Sequence, residues 1–172
     1  MKAVIMAGGE GTRLRPLTCS VPKPMVPILN KPMMEHILKL LKRHGFSDIA
    51  CTLWYLPQDV TEYFQDGSAW GLHLGYYIEQ EPLGTAGSVK NAAQMLQSTF
   101  VVMSGDALTD IDLTSAVAFH REKGALATLV LTRVENPLNY GVVLTGESGR
   151  ITQFLEKPTW SQVFSDTVNT GI

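Results

Sequence analysis

Short, uninterrupted apolar runs alternate with longer segments of helical periodicity along most of the chain. The run AVIM at residues 3–6 is branched and unbroken, as is typical of a buried strand. Residues 32–45 have the period of an amphipathic helix, with Pro32 at the first helical position and Gly45 at the end. The apolar face of this helix is predicted to consist of Met34, Ile37, Leu38 and Leu41.

The same alternation continues downstream. Strands are predicted over 48–56, 72–79, 99–106 and 125–134. Helices are predicted over 57–67 and 113–124, and a further helix follows a GTAG loop at 84–87. Residues 140–156 predict a hairpin that turns at 146–149, and NTGI at 169–172 indicates the start of a further strand. Strands that alternate with helices indicate βαβ units. We therefore expect an α/β, Rossmann-like fold with a mainly parallel sheet and helices on both faces.

The length of 172 residues indicates one domain or most of one, and the composition, 45% hydrophobic and 17% charged, is that of a globular protein. The formal net charge of -2 provides no excess of positive charge for binding nucleic acid. An anionic ligand would therefore have to bind at a local cluster of positively charged residues. No segment approaches the ~20 apolar residues of a membrane span, and the first apolar run is too short for a secretory signal. Cys19 and Cys51 form no CxxC pair and favour a reducing compartment, so the expected location is cytoplasmic.

The loop AGGEGTRLRPLT at 7–18 combines small side chains with positive charge directly after the first predicted strand. Backbone N–H groups of such a loop can converge on a phosphate, and Arg13 and Arg15 would donate to a polyphosphate. A simple strand-to-helix turn is the alternative. Leu14 stands where a GxGxxG motif beginning at Gly9 needs glycine, and no GK[ST] triplet occurs, so neither a dehydrogenase nor a P-loop NTPase is supported.

Six further motifs follow this loop in a particular order. They are PKPMVPI at 22–28, PLGTAGSV at 82–89, SGD at 104–106, YGVV at 140–143, EKP at 156–158 and NTGI at 169–172. Together with the loop they resemble the sugar-phosphate nucleotidyltransferases, the NDP-sugar pyrophosphorylases, over the whole chain. The resemblance implies the nucleotide-diphospho-sugar transferase fold. It also implies transfer of a nucleoside monophosphate from a nucleoside triphosphate to a sugar 1-phosphate, with release of pyrophosphate.

Such a transfer depends on charge neutralisation and alignment more than on covalent help from the protein. By similarity to the family, Arg13 would hold the β- and γ-phosphates, and Lys23 would reach the α-phosphate or the sugar phosphate. These two are the expected catalytic residues. Asp106 is the expected ligand of Mg²⁺, the cofactor that the resemblance implies, whereas Asp110 and Asp112 fit helix capping better.

The resemblance also implies a set of nucleotide-binding positions: Ala7, Gly8, Gly9, Gly11, Thr12, Glu79, Pro82, Gly84 and Thr85. Glu79 is expected to read the base, because one carboxylate can accept both the N1–H and the N2 amino group of guanine. Gln80 would suit a pyrimidine if the register differed by one residue. A solvated carboxylate at a strand end is the alternative role for Glu79. Because Glu79 is the expected base-reading residue, GTP is the favoured nucleotide.

On the sugar side, the resemblance points to Gly141, Glu156, Lys157 and Asn169. Glu156 and Asn169 would bond sugar hydroxyls, and Lys157 the sugar phosphate. We expect a nucleotide-binding part over about 1–110 and an incomplete sugar-binding part over about 111–172. The family's second metal-binding aspartate would lie beyond residue 172, so a longer parent chain and weak or absent turnover by these residues alone are expected.

Within the family, the motifs are most similar to the mannose-1-phosphate guanylyltransferases, which favours mannose 1-phosphate as the acceptor. The alternatives are a glucose-1-phosphate uridylyl- or thymidylyltransferase and a non-catalytic regulatory module that binds nucleotide. A molybdenum-cofactor guanylyltransferase shares the glycine-arginine loop but is disfavoured by the PLT, PKPM and EKP motifs. The expected partners are the two substrates, with no nucleic acid or membrane, and the sequence is compatible with a homo-oligomer.

Overall fold

The computed structural model describes residues 1–172, and its contacts divide the chain into two units, Met1–Ser115 and Ala116–Ile172. The expected division near residue 110, as a division between nucleotide and sugar binding, stays a prediction. The strands and helices, in chain order, are β1 (Lys2–Met6), β2 (Pro27–Ile28), β3 (Lys31–Pro32), α1 (Met33–Arg43), β4 (Asp48–Leu53), α2 (Pro57–Phe64), β5 (His73–Ile78), α3 (Gly84–Asn91), β6 (Phe100–Ser104), α4 (Leu113–Lys123), β7 (Leu131–Arg133), β8 (Gly141–Thr145), β9 (Ile151–Glu156) and β10 (Thr167–Asn169).

A four-stranded sheet in the order β5-β4-β1-β6 forms the centre of the first unit, and all its pairings are parallel. The predicted strand AVIM is the inner strand β1, and its residues Ala3, Val4 and Ile5 are fully buried. Since β4 and β5 lie on one side of β1 and β6 on the other, the strand order reverses at β1. Ligands of open parallel sheets bind beyond the carboxyl ends of the strands at such a reversal.

The two faces of this sheet carry separate sets of buried side chains, because successive residues of a strand point to opposite faces. On one face, Val4 and Ala50 pack with Ala92 and with apolar side chains of α3 and the residues after it. On the other face, Ile5, Ile49 and Leu53 are fully buried. The predicted α/β class with a mainly parallel central sheet is confirmed.

Helix α1 buries the apolar face that the sequence predicts, with Met34, Ile37, Leu38 and Leu41 all at most 1% exposed. Pro32, however, is the residue before the helix and pairs with Pro27 in a small antiparallel ladder, so its predicted place as the first helical residue is wrong. Gly45 follows the helix end at φ 77°, a conformation that glycine adopts readily.

The second unit contains an antiparallel sheet in the order β7-β10-β8-β9. Its β8–β9 pair is the predicted hairpin. The ten-residue strand predicted over 125–134 is wrong in length, because only Leu131–Arg133 pairs, and it pairs with the three residues of β10. NTGI does not begin a strand, since β10 ends at Asn169. No helix of the structure combines the length and the apolar character that crossing a membrane requires.

Candidate functional site

A cavity of about 240 Å³ lies at the carboxyl ends of β1 and β6, where the strand order reverses. The main-chain N–H of Gly105 donates to Met6 O at 2.7 Å and holds the two strand ends together. The cavity therefore occupies the position at which a parallel sheet of this order binds ligands. Its walls are formed by Met6, Ala7, Gly9, Gly11, Thr12, Arg13, Lys23, Pro24, Ser104, Gly105 and Asp106.

The glycine loop is held in shape by Gly11 and Thr18. Gly11 has φ 65°, and a methyl group there would lie 3.0 Å from Thr18 Cγ2 and 3.1 Å from Lys23 Cβ. The hydroxyl of Thr18, a residue only 1% exposed, donates to Gly11 O at 2.7 Å. Glycine is thus required at position 11 for both conformation and space. Thr18 is a structural residue of the loop that sequence reasoning missed, although it ends the motif.

The two arginines of the loop have different positions. Arg13 lies in a single 3-10 turn, Thr12–Leu14, and lines the cavity. Arg15 is outside the cavity wall, and its Nη2 pairs with Glu10 Oε2 at 3.1 Å. The expectation that both arginines would donate to one polyphosphate does not fit this structure, because Arg13 lines the cavity and Arg15 does not.

Lys23 and Asp106 meet in the cavity as an ion pair between Nζ and Oδ2. Lys23 lies in a 3-10 turn, Lys23–Met25, between the buried Pro22 and Pro24. Ser104, the last residue of β6, donates its hydroxyl to Asp106 Oδ1. The serine of the SGD motif thus orients the carboxylate, a role that only its place in the motif could have indicated.

The charge state of Asp106 follows from these contacts. Burial raises the pKa of Asp106, but the hydrogen bonds from Lys23 and Ser104 and the positive charge of Lys23 outweigh it, so the pKa lies below its ordinary value of 3.8. The cavity wall accordingly presents an ionised carboxylate beside two cationic side chains, Lys23 and Arg13.

The cavity wall carries one carboxylate that could bind Mg²⁺. Asp106 contributes a carboxylate, and the structure contains no group of three or more His, Cys, Asp or Glu side chains that could hold a metal ion. Mg²⁺ is commonly bound through one or two carboxylates, with substrate phosphates and water completing the octahedron. A single carboxylate at the wall of a cavity that Arg13 and Lys23 also line fits that mode of binding.

Glu79 follows β5 at the same edge of the sheet and is only 6% exposed. Its Oε2 accepts the main-chain N–H of Leu83 at 3.2 Å, whereas its Oε1 is buried with no hydrogen-bond partner. The alternative role of a solvated strand-end carboxylate is therefore wrong, and Gln80 is the exposed neighbour. A buried carboxylate oxygen without a donor is rare and is a natural acceptor for a ligand.

Gly8 and Trp54 lie against Glu79. A methyl group at Gly8 would be 3.4 Å from Trp54 Cβ and 3.8 Å from Glu79 Oε1. The first glycine of the loop is therefore next to the carboxylate expected to read the base, and β4 brings Trp54 to the same place. Trp54 was not anticipated, because nothing in its local sequence distinguishes it from a core aromatic residue.

The GTAG segment is helical rather than a loop. Helix α3 begins at Gly84 itself, which has φ 67°, and Leu83 precedes the helix. Pro82, Gly84 and Thr85 are all exposed, and none of them lines the cavity described above. The predicted GTAG loop is therefore corrected to the first turn of a helix.

The residues expected to bind sugar lie in the second unit. Gly141 pairs with Glu156 across the β8–β9 ladder, and a methyl group at Gly141 would be 2.8 Å from Glu156 Oε2. Asn169 is one position beyond the pairing of Val168 with Val142, which places it beside Gly141. Lys157 has φ 46°, and its Nζ lies 3.9 Å from Glu156 Oε1. These four residues thus share one end of the antiparallel sheet.

A parallel sheet whose strand order reverses at β1, with helices packed against it, defines a domain of the Rossmann-like class. A family model described as "Nucleotidyl transferase" matches residues 2–172. The chain therefore belongs to the nucleotidyl transferase family.

Similar proteins carry two kinds of names. The chain is 45% identical to a UTP--glucose-1-phosphate uridylyltransferase of Synechocystis sp., over all of this chain and 48% of that protein. It is 41% identical to a mannose-1-phosphate guanylyltransferase of Mycobacterium tuberculosis, over 98% of this chain and 47% of that protein. The chain thus spans about half the length of these curated relatives.

A solved structure from Bacillus anthracis, described as that of a glucose-1-phosphate thymidylyltransferase in complex with a sucrose, has the same fold. It superimposes with a TM-score of 0.91 at 26% sequence identity, over 99% of this chain and 69% of that one. The predicted family and fold are therefore confirmed.

Proposed function

We propose that the chain carries the nucleotide-binding part of a sugar-1-phosphate nucleotidyltransferase, with GTP and mannose 1-phosphate as the preferred substrates. The observation that carries the proposal is the meeting of Arg13, Lys23 and Asp106 around one cavity at the reversal of the sheet. Two cationic side chains, a glycine loop and one carboxylate suit a triphosphate accompanied by a divalent cation. The names of the similar proteins support the reaction class.

In the proposed reaction, a phosphate oxygen of the sugar 1-phosphate attacks the α-phosphorus of the nucleotide. The bond between the α-phosphorus and the oxygen that bridges to the β-phosphorus breaks, and pyrophosphate leaves with that oxygen. Arg13 binds the β- and γ-phosphates and stabilises the negative charge of the leaving group. Lys23 binds the α-phosphate or the incoming phosphate and aligns the two reacting groups.

Asp106 is the proposed protein ligand of Mg²⁺, oriented by the Ser104 hydroxyl. When bound, the metal ion supplies charge neutralisation at the phosphate oxygens. The protein's own contribution is a rigid, ionised carboxylate at the cavity wall.

The preference for GTP rests on Glu79. Its unpartnered, buried Oε1 and its neighbouring Oε2 form a two-acceptor edge, which complements the adjacent N1–H and N2 amino donors of guanine. Uracil and thymine present one donor between two carbonyl oxygens, and a carboxylate would repel those oxygens. The preference for mannose 1-phosphate is supported by the name of the Mycobacterium tuberculosis relative.

A uridylyltransferase acting on glucose 1-phosphate is the second candidate, because the relative with 45% identity carries that name. Thermal-shift measurements with GTP, UTP, dTTP, ATP and CTP, each with Mg²⁺, separate the candidates, since a ligand that binds the folded state raises the melting temperature. GTP is expected to produce the largest shift. An equal or larger shift with UTP or dTTP would transfer the assignment to a pyrimidine nucleotide.

Turnover is tested separately from binding. Release of pyrophosphate from GTP is measured with mannose 1-phosphate and with glucose 1-phosphate as acceptors, using both the 172-residue chain and the protein purified from its native source. A non-catalytic regulatory module would bind nucleotide in both forms and release no pyrophosphate in either. Release by the native chain supports the transferase.

A further inference from the structure

Both carboxylate oxygens of Asp106 are already engaged within the protein. Oδ2 accepts the ammonium of Lys23, and Oδ1 accepts the hydroxyl of Ser104. The pair is partly shielded from solvent, with the Lys23 side chain 25% exposed and that of Asp106 34% exposed. A divalent cation that approaches Asp106 therefore meets a carboxylate whose negative charge is compensated by a neighbouring cation.

We propose that Lys23 occupies the cation position on Asp106 before substrate binds, and that the triphosphate draws the Lys23 ammonium to itself and so opens Asp106 to the metal ion. This inference rests on the proposed function, since it assigns a binding order to the same site. Lys23 would thus have two successive partners, the carboxylate and then a phosphate.

The charges along the cavity explain why the nucleotide is the trigger. The charged side chains of the wall are Arg13, Lys23 and Asp106, which sum to one positive charge. A divalent cation added alone would stand beside the Lys23 ammonium at the same carboxylate, and like charges a few ångströms apart repel strongly where water is partly excluded. A triphosphate reverses the sign of the cavity and offers both cations new anionic partners.

The local fold lets Lys23 change partner without moving its backbone. Pro22 and Pro24 flank the residue and are both buried, and Pro24 itself forms part of the cavity wall. A lysine side chain carries its charge on a flexible four-carbon stem that can swing between nearby anions. Ser104 keeps its hydrogen bond to Oδ1 and preserves the orientation of the carboxylate while Oδ2 is exchanged.

Thermodynamic linkage gives the proposal a measurable consequence. If the nucleotide releases Asp106 for the metal ion, nucleotide and metal ion must raise each other's affinity by the same factor. Removal of the Lys23 charge should then allow the metal ion to bind Asp106 without nucleotide.

The test is Mn²⁺ binding, followed by electron paramagnetic resonance of free Mn²⁺, in the absence of nucleotide. Lys23→Met is expected to bind Mn²⁺ alone about 10-fold or more tightly than the wild type, in the usual range of coupling between two sites. Lys23→Gln also removes the charge but keeps an N–H donor for Asp106, so it is the variant to use if Lys23→Met folds poorly. It should show the same gain in Mn²⁺ affinity. Lys90→Met, which removes the same charge from an exposed position, should bind as the wild type does. Asp106→Asn added to Lys23→Met should abolish the gain.

Equal Mn²⁺ affinity in the wild type, Lys23→Met and Lys23→Gln would overturn the inference. If the wild type in that case still binds GTP, with a melting temperature that rises further when Mn²⁺ is added, only the inference fails and the nucleotide site stands. If GTP gives no shift in the wild type with or without Mn²⁺, the proposed function fails as well.

Discussion

The main-chain N–H of Gly105 donates to the carbonyl oxygen of Met6 at 2.7 Å, so the residue after β6 is hydrogen-bonded to the last residue of β1. This bond sets the distance between the two strand ends that form the floor of the cavity. A methyl group at position 105 would lie 2.9 Å from Met6 O and 2.9 Å from Ala7 Cβ. Because Gly105 of the SGD motif has no side chain, the ends of β1 and β6 can approach each other closely.

We expect Gly105→Ala to lower the free energy of unfolding by about 1–3 kcal/mol, because a methyl group forced against backbone requires the strands to shift. Nucleotide affinity should fall too. Gly9→Ala is the matched control, since a methyl group there has open space within 4 Å, and it should leave the unliganded stability unchanged or slightly raised. Denaturant unfolding of the two variants measures the contrast, and equal destabilisation would contradict it.

A second prediction concerns pH and the buried Glu35 of α1. The hydrogen bond from Lys39 Nζ, at 2.5 Å, lowers the pKa of Glu35 below its ordinary 4.5, and burial offsets this only in part. A carboxylate with a depressed folded-state pKa contributes stability that is present above pH 4.5 and is lost as pH falls through the folded pKa. Glu35→Gln should therefore be less stable than the wild type at neutral pH, and the difference should shrink at acid pH.

Unfolding free energies measured across a pH series test this sign. Glu62→Gln, on the exposed surface of α2, is the control, and it should change stability by no more than about 0.5 kcal/mol at neutral pH. A deficit of Glu35→Gln that is the same at neutral and acid pH would indicate a packing effect instead of a charge effect.

The sequence predicts the inner strands of the central sheet well because β1 and β4 are buried on both faces, so that unbroken apolar runs such as AVIM are easily recognised. It fails over 125–134, where a run of strand-forming residues has only the three residues of β10 as a partner. High strand propensity favours an extended backbone, but hydrogen-bonded pairing also requires a neighbouring strand of matching length. The GTAG segment shows the reverse case, since its glycines indicated a loop and the chain nevertheless begins α3 there.

The site was predictable as a set of residues and not as a set of contacts. The motifs name Lys23 and Asp106, but their ion pair joins residues 83 positions apart and depends on β1 and β6 being neighbours. The hydrogen bond from the N–H of Leu83 to the carboxylate of Glu79 likewise depends on how the chain turns after β5. Local pattern contains no information on either contact.

Arg13→Ala is predicted to abolish most of the GTP-dependent rise in melting temperature while leaving the unliganded melt nearly unchanged. The side chain is exposed and lines the cavity, so its removal costs phosphate contacts and little packing. Arg15→Ala is the matched control, because Arg15 is in the same loop but pairs with Glu10 outside the cavity wall. A large loss of unliganded stability in Arg13→Ala would support a structural role for the loop instead.

Glu79→Gln is predicted to reverse the order of nucleotide affinities. The amide replaces one acceptor with a donor, so it can no longer accept both guanine N–H groups and instead complements the donor-acceptor edge of a pyrimidine. A site built to hydrogen-bond one base should lose about 10-fold or more in affinity for GTP relative to UTP, because a buried polar group is left unpaired.

Gln80→Glu, at the exposed neighbouring position, is the control and should leave the affinities unchanged. Calorimetric titration of both variants with GTP and UTP gives the ratio. If Glu79→Gln retained the wild-type ratio while Gln80→Glu altered it, the base would be read one residue further along the chain.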